Sequence, residues 1–135
     1  MTYVERCLYE YRENLALIEA LKSEIDNLCS VRAQNYDSQG SGGLSNPVEA
    51  VAMKKLYLER RLGHTERVTR AVKRLDEDLC GSDMRVQQMS KILNLKYFCG
   101  ESIDYVLRHM AISPSTYWRR NGELLRKARK YLGEA

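Results

Sequence analysis

The sequence predicts an all-α fold, in which a long antiparallel helical hairpin precedes a domain of three shorter helices. Residues 2–33 contain neither Pro nor Gly, and their apolar residues recur at steps of three and four. That is the period of one helix face. A second long segment with the same period begins at Pro47. Beyond residue 80, Gly, Ser and Pro divide the chain into shorter helical patterns, and no segment has a convincing strand pattern.

The first long helix is predicted over residues 2–33. The mean step between its apolar residues is close to 3.5, which suits packing against a partner helix in the manner of a coiled coil. Its apolar stripe is Val4, Leu8, Tyr11, Leu15, Ile18, Leu21, Ile25 and Leu28. Residues 34–45 are rich in Gly and Ser without periodicity, so we expect a flexible linker there.

The second long helix is predicted from Pro47 to about Leu79. Ser45 or Asn46 can cap it, and Pro47 suits the first helical position. Gly63 lies in its middle and costs about 1 kcal/mol relative to Ala, which allows a kink. The apolar stripe is Val51, Leu58, Leu62, Thr65, Val68, Val72, Leu75 and Leu79. Two helices of similar length joined by a short linker predict an antiparallel hairpin.

We divide the chain into two domains at residue 80. Residues 1–80 form the hairpin, whose expected role is oligomerisation or the binding of a partner protein. Residues 81–135 form the three-helix domain, and its first helix is expected over Met84–Phe98. We expect a homodimer, because a single domain of this size buries too little surface for tight specific binding on its own.

Residues 93–132 contain helix breaks and caps at the spacing that is typical of a helix-turn-helix. Gly100 breaks the preceding helical pattern, and Ser102 is placed to cap a short helix. Ala111–Ser113 then forms a tight turn, after which Pro114 opens a second helix. In a helix-turn-helix of this kind the second helix can lie in the major groove of DNA.

Charge is distributed unevenly along the chain, whose formal net charge is +4. Residues 1–44 contain four basic and seven acidic residues, whereas residues 114–135 contain six basic and two acidic ones. A basic C-terminal end favours a polyanionic partner, and a solvated helix face is the alternative interpretation. The helix-turn-helix pattern favours double-stranded DNA.

The second helix of this motif carries the candidate DNA-binding residues. Its N-terminal side chains are placed to reach base edges, and later cations to reach phosphates. Arg119 or Arg120 can make a bidentate contact to guanine, while Tyr117 is expected to be buried. Trp118 can contact a sugar or a thymine methyl group, or it can lie at a helix packing seam. The predicted DNA-binding residues are Ser113, Ser115, Thr116, Trp118, Arg119, Arg120, Arg126, Lys127 and Lys130.

Several short stretches carry a family resemblance. These are Leu95–Phe98 followed by Gly100, the segment ISPSTYWRR at residues 112–120, and the closing Ala128 and Leu132. They resemble the helix-turn-helix of sigma-factor region 4, and the chain is similar to small phage and prophage regulators of the ArpU and RinA type. The resemblance implies a sigma-region-4-like domain that controls phage late genes from the cytoplasm of a bacterial host. It also makes host RNA polymerase a candidate partner.

The chain departs from this family pattern at three positions. Ala111 lies where many such motifs place Gly in a left-handed turn, so the turn is expected to differ or to carry strain. Leu107 replaces a small Ala that permits close helix approach. Arg120 replaces an apolar core residue that is common in sigma region 4.

Two other functions compete with transcription regulation. The hairpin could bind RNA polymerase or another protein, with the helix-turn-helix serving only as a packing unit. A small terminase subunit of a phage also combines such parts, but those proteins usually place the DNA-binding part first in the chain. The exposed basic helix favours the regulator.

Catalysis, metal binding and membrane insertion have little support in the sequence. His64 and His109 are the only histidines, and they accompany no catalytic triad and no glycine-rich phosphate loop. The four cysteines form no CxxC pair, so we expect reduced, buried or idle thiols and neither a metal site nor another cofactor. No apolar run approaches the length of a membrane span. We therefore expect a cytoplasmic protein without enzymatic activity.

Overall fold

The computed structural model describes residues 1–37 and 47–133, and for residues 30–37 and Pro47 it describes the backbone alone. Within these residues the chain is helical and contains no strand, which confirms the all-α prediction. The elements are α1 (Tyr3–Tyr9), α2 (Tyr11–Asp37), α3 (Pro47–Asp78), α4 (Met84–Ile92), a π-helical segment (Leu93–Phe98), α5 (Ile103–Met110) and α6 (Pro114–Leu132).

The first predicted helix is divided in two. Helix α1 ends at Tyr9, and Glu10 separates it from α2. A capping box holds its N-terminus: the Thr2 hydroxyl accepts the Glu5 N–H, and the Glu5 carboxylate accepts the Thr2 N–H. The apolar spacing continues unbroken across Glu10, which is why periodicity alone predicted one helix.

Helix α3 begins at Pro47 and runs without interruption through Gly63 to Asp78, as predicted. Helix α2 continues to Asp37, so the residues at the start of the predicted linker are helical. The rest of that linker, from residue 38 to residue 45, lies outside the described residues. The predicted capping residues Ser45 and Asn46 lie outside them too.

The chain divides into two compact units that do not coincide with the domains expected on either side of residue 80. One unit, here called the core unit, contains residues 1–14 and 68–135. The other, the two-helix unit, contains residues 15–67. The boundary falls inside α2 and α3. The first residues of α2, up to Asn14, and the last residues of α3, from Val68 onwards, belong to the core unit. An antiparallel hairpin in the two-helix unit stays a prediction.

The core unit is held together by a single apolar cluster. Helix α1 packs against the π-helical segment and α6, while α4 packs against α6. Every element of the unit therefore contributes side chains to one core. Its least exposed members are Val4, Leu8, Val72, Leu75, Ile92, Leu93, Val106, Tyr117, Leu124 and Ala128.

The two-helix unit has a narrower core. Leu21 of α2 and Leu58 of α3 are 1% and 4% exposed, and both belong to the predicted stripes. The remaining apolar residues of these stripes within the unit are half-buried or exposed. Leu15, for example, is 44% exposed although it lies on the predicted stripe.

A tyrosine cluster links α1, the π-helical segment and α6. The Tyr97 hydroxyl donates a 2.5 Å hydrogen bond to the Asn121 side-chain oxygen, and both residues are buried. The rings of Tyr9 and Tyr97 lie 4.8 Å apart between centroids. Burial raises the pKa of Tyr97, and it raises the pKa of Tyr117 to about 12. Both phenols are therefore neutral at physiological pH.

Replacing Tyr97 by Phe is expected to lower the free energy of unfolding by about 1–3 kcal/mol, because the buried Asn121 amide loses its hydrogen-bond partner. Tyr131 offers a matched control, since its hydroxyl donates to Asp78 in an exposed hydrogen bond. Tyr131→Phe should change the free energy by less than about 1 kcal/mol. Urea unfolding followed by circular dichroism compares the two variants. Equal losses would contradict a structural role for the buried bond.

Candidate nucleic-acid interface

Helices α5 and α6 begin at the residues that the sequence predicted. The Ser102 hydroxyl accepts the Tyr105 N–H at 3.1 Å, which caps α5. The Ser113 hydroxyl accepts the Thr116 N–H at 3.2 Å, and Pro114 occupies the start of α6. These caps satisfy backbone donors that have no partner inside the helix. Local chemistry thus fixes the residue at which α6 starts.

The connection between α5 and α6 contains the one non-glycine residue with a positive φ among the described residues. Ala111 has φ 54° and ψ 48°, the left-handed helical conformation. Its N–H donates to the Leu107 carbonyl and so closes the end of α5. An L-residue in this conformation costs about 1–2 kcal/mol. The sequence allowed either a different turn or a strained one here, and the left-handed conformation of Ala111 is the arrangement in which strain is expected.

One face of α6 is buried in the core unit. Tyr117 is 1% exposed, as predicted, and Leu124 and Ala128 continue the face at helical spacing. Val106 is fully buried in the same cluster, and Met110 and Ile112 pack against it from the surface.

Arg120 corrects the sequence prediction. The sequence makes it one of two alternatives for base reading, beside Arg119, but it is only 9% exposed. Its Nε donates to the Gln88 side-chain oxygen at 2.8 Å, and its Nη1 lies 3.1 Å from a Glu123 carboxylate oxygen. Arg120 follows Tyr117 by three residues, so it falls on the same buried side of α6. It holds α6 to α4 and is unavailable to a ligand.

The opposite face of α6 is exposed and carries most of the other predicted residues. We call it the α6 outer face. Thr116 and Lys127 lie at its margin and are half-buried, whereas Ser113 is exposed but its hydroxyl is engaged in capping. The predicted residues on the outer face itself are Ser115, Trp118, Arg119, Arg126 and Lys130.

Trp118 is the largest side chain on the α6 outer face. It is 57% exposed, and its ring meets Tyr117 edge-on, with centroids 5.1 Å apart. The Tyr117 contact restricts the indole without covering it. Of the two positions considered from the sequence, the structure shows the exposed one.

Two members of the outer face were absent from the predicted set. Arg129 is exposed and lies three residues after Arg126. Gly122 lies between Arg119 and Arg126, and a Cβ atom built on it would meet no other atom within 4 Å. Gly in a helix interior costs about 1 kcal/mol relative to Ala, and no packing inside the chain requires it here. Projecting the basic helix onto a 3.6-residue wheel would have placed both residues beside Arg119.

The cations of the α6 outer face have no acidic partners within the described chain. The ion pairs formed by described residues are Lys55–Glu59 and Arg120–Glu123. A surface depression follows the second half of the helix, lined by Glu123, Arg126, Lys127, Lys130 and Tyr131. Counting the described residues alone, the outer face therefore has an excess of positive charge, which attracts polyanions.

Other kinds of site find no support in the described residues. No group of three or more His, Cys, Asp or Glu side chains there could hold a metal ion. No helix of the described chain is long and apolar enough to span a bilayer. Among the cysteines, Cys7 is buried, whereas Cys29, Cys80 and Cys99 are exposed.

Comparisons with known proteins supply no family for this chain, since family models, curated proteins and solved structures all give no match. The similarity to sigma-factor region 4 and to ArpU- and RinA-type regulators stays a prediction from the sequence.

Replacing Ala111 by Gly is expected to stabilise the protein by about 1 kcal/mol, because Gly adopts the left-handed conformation without a Cβ clash. Thermal unfolding measures the change as a higher Tm. Gly133, which has φ 77° after α6, serves as the reverse control: Gly133→Ala should lower the Tm. An unchanged or lower Tm for Ala111→Gly would show that the connection is not strained.

Proposed function

We propose that the protein is a sequence-specific DNA-binding transcription regulator that inserts the N-terminal half of α6 into the major groove. The observation that carries this proposal is the α6 outer face. It combines exposed polar and aromatic side chains at the start of the helix with exposed cations further along, which form no ion pair with a described residue. The opposite face of the same helix is buried in a core, so the outer face is held on a rigid element.

Arg119 is the proposed base-reading residue. It is exposed, lies two turns or less from the N-terminus of α6 and has no carboxylate partner among the described residues. Arginine is the side chain that most often contacts guanine specifically, through two hydrogen bonds to O6 and N7. Ser115 and Trp118 lie on the same side and would contact phosphate, sugar or a thymine methyl group.

Arg126, Arg129 and Lys130 are the proposed phosphate contacts. They continue the outer face towards the C-terminal end of α6, where a helix in the groove leaves the bases and meets the DNA backbone. Such contacts position the protein without reading sequence, and they make affinity depend steeply on salt. Lys127 at the margin of the face is a further candidate for this role.

The proposed biological role rests on the sequence resemblance. A sigma-region-4-like motif in a phage or prophage regulator implies control of late genes, with host RNA polymerase as a candidate partner in the bacterial cytoplasm. One such motif buries little surface, and tight specific binding usually needs a larger interface. We therefore propose a homodimer whose target has two half-sites about one helical turn apart.

A protein-interaction function is the second candidate. It is favoured by the exposed apolar side chains of the two-helix unit, among them Met53 and Tyr57, which are 67% and 62% exposed. Such side chains are typical of surfaces that bind other proteins. This function can coexist with DNA binding, because α6 lies in the other unit.

Selection of bound duplexes from a random DNA pool at about 150 mM salt tests the proposal, since non-specific attraction to phosphate is weak there. We expect a recurring motif. Arg119→Ala should cost about 1–3 kcal/mol on the selected site and relax the preference at one base pair, with unchanged stability. Arg120→Ala is the matched control and should instead destabilise the fold, because it leaves Gln88 and Glu123 without their partner. A parent protein that enriches no motif would contradict sequence-specific binding.

The substitution Gly122→Ala is expected to change the stability of the fold and the affinity for DNA in opposite directions. The substitution should raise the free energy of unfolding by about 0.5–1 kcal/mol, because Ala favours the helix and its Cβ meets open space. It should also weaken DNA binding, since a methyl group would hold the helix away from the duplex. Chemical unfolding and fluorescence anisotropy with the selected duplex measure the two effects. Equal affinity in a stabilised variant would mean that no partner approaches α6 closely at Gly122.

A further inference from the structure

The two-helix unit exposes large apolar side chains on both of its helices. Met53, Leu56 and Tyr57 of α3 are 67%, 48% and 62% exposed, and Leu15 of α2 is 44% exposed. Exposed apolar residues that cluster on one element mark a binding surface more often than scattered ones do.

The apolar residues of α3 continue into a basic stretch on the same side of the helix. Arg60 and Arg67 follow Leu56 by four and eleven residues, spacings that keep all three within about 40° on a helical wheel. Both arginines are exposed. Neither forms an ion pair with a described residue. We call Leu56, Tyr57, Arg60 and Arg67 the α3 outer face.

Helix α2 presents a face with the same spacing and the opposite charge. Glu19 and Asp26 follow Leu15 by four and eleven residues, and both are exposed without an ion pair among the described residues. Ala16 lies beside Leu15, as Tyr57 lies beside Leu56. We call Leu15, Ala16, Glu19 and Asp26 the α2 outer face.

The two outer faces match in a single register when the helices run parallel. Leu15 then meets Leu56, Glu19 meets Arg60, and Asp26 meets Arg67. Ala16 and Tyr57 each follow a facing leucine by one residue and lie on opposite flanks of the contact. Apolar contact at one end and two opposite-charge pairs along two further turns make the faces complementary in chemistry as well as spacing.

These faces cannot meet inside one chain. Leu21 and Leu58 mark the sides of α2 and α3 that are already buried in the two-helix unit. Glu19 and Arg60 point about 160° away from those leucines on ideal helices. The complement of each outer face must therefore come from another molecule, and a second copy of this chain carries both.

We propose that the two-helix unit is a self-association surface, in which the α2 outer face of one copy packs parallel to the α3 outer face of another. The contact is head-to-tail, so it differs from the twofold contact of the homodimer proposed for DNA binding, and it leaves a free patch of each kind on a pair unless the assembly closes. This inference stands apart from DNA binding, which involves the other unit.

Sedimentation velocity of the full chain over a range of concentrations tests the contact. We expect the parent to self-associate, and Arg60→Glu and Glu19→Arg each to weaken association by about tenfold or more, because each places like charges together. Lys54→Glu and Glu24→Arg are matched controls, with the same charge changes at exposed positions off the two outer faces. These controls should associate as the parent does.

The decisive experiment is to mix the two charge-reversed variants, Arg60→Glu and Glu19→Arg. Alone, each variant brings two like charges together, whereas in the mixture Glu19 of one copy meets Arg60 of the other, and the two substituted residues also form an opposite pair. Association should therefore return on mixing. The neutral variants Arg60→Gln and Glu19→Gln repeat the comparison with a smaller expected loss, and mixing them restores the native Glu19–Arg60 pair in one of the two possible contacts.

Three outcomes would overturn the proposal: a parent that stays monomeric up to about 100 μM, charge-reversed variants that associate like the controls, or a mixture that fails to recover. A fourth such outcome is an Arg60→Glu variant that loses affinity for random-sequence DNA but sediments with the same mass as the parent. That result would assign the α3 outer face to a polyanion. None of these outcomes depends on whether Arg119 reads bases.

Discussion

The hydrogen bond from Tyr97 to Asn121 lies at the centre of the contacts that orient α6. It joins the π-helical segment to the middle of α6 inside an apolar cluster, where Tyr9, Tyr117 and Leu124 exclude water. A buried polar pair is stable only when both partners are satisfied, so it tolerates little rotation of α6 about its axis. With that rotation fixed, the residues of α6 are divided between a core and an outer face, and the chemistry available to a ligand follows from the division.

Arg119 and Arg120 show how much depends on this orientation. The two residues are adjacent and chemically identical, yet one points to solvent and the other binds Gln88 and Glu123 at the junction with α4. A buried arginine needs its charge compensated, and the neighbouring carboxylate and amide do so. Arg120 therefore serves the fold, and the proposed base reading rests on Arg119 alone.

The proposed interface also contains two positions where stability is not at its maximum. Ala111 adopts a left-handed conformation before α6, and Gly122 interrupts the helix propensity of its outer face. Local choices that disagree with stability are common at functional sites. The missing side chain at Gly122 would let a partner approach α6 closely. The left-handed conformation of Ala111 ends α5 and begins the short connection to α6.

Local sequence signals determined the class of fold and most of the helix boundaries. Pro47, Ser102, Ser113 and Pro114 mark helix starts because caps and first-turn residues act within four residues of themselves. The periodicity around Tyr117 likewise predicted which face of α6 is buried near the turn. The burial of Arg120 and the break between α1 and α2 at Glu10 could be learned only from the tertiary structure. So did the union of α1 and the end of α3 with the C-terminal helices in one unit. Periodicity identifies a face that must be covered, but only packing between residues distant in the chain decides what covers it.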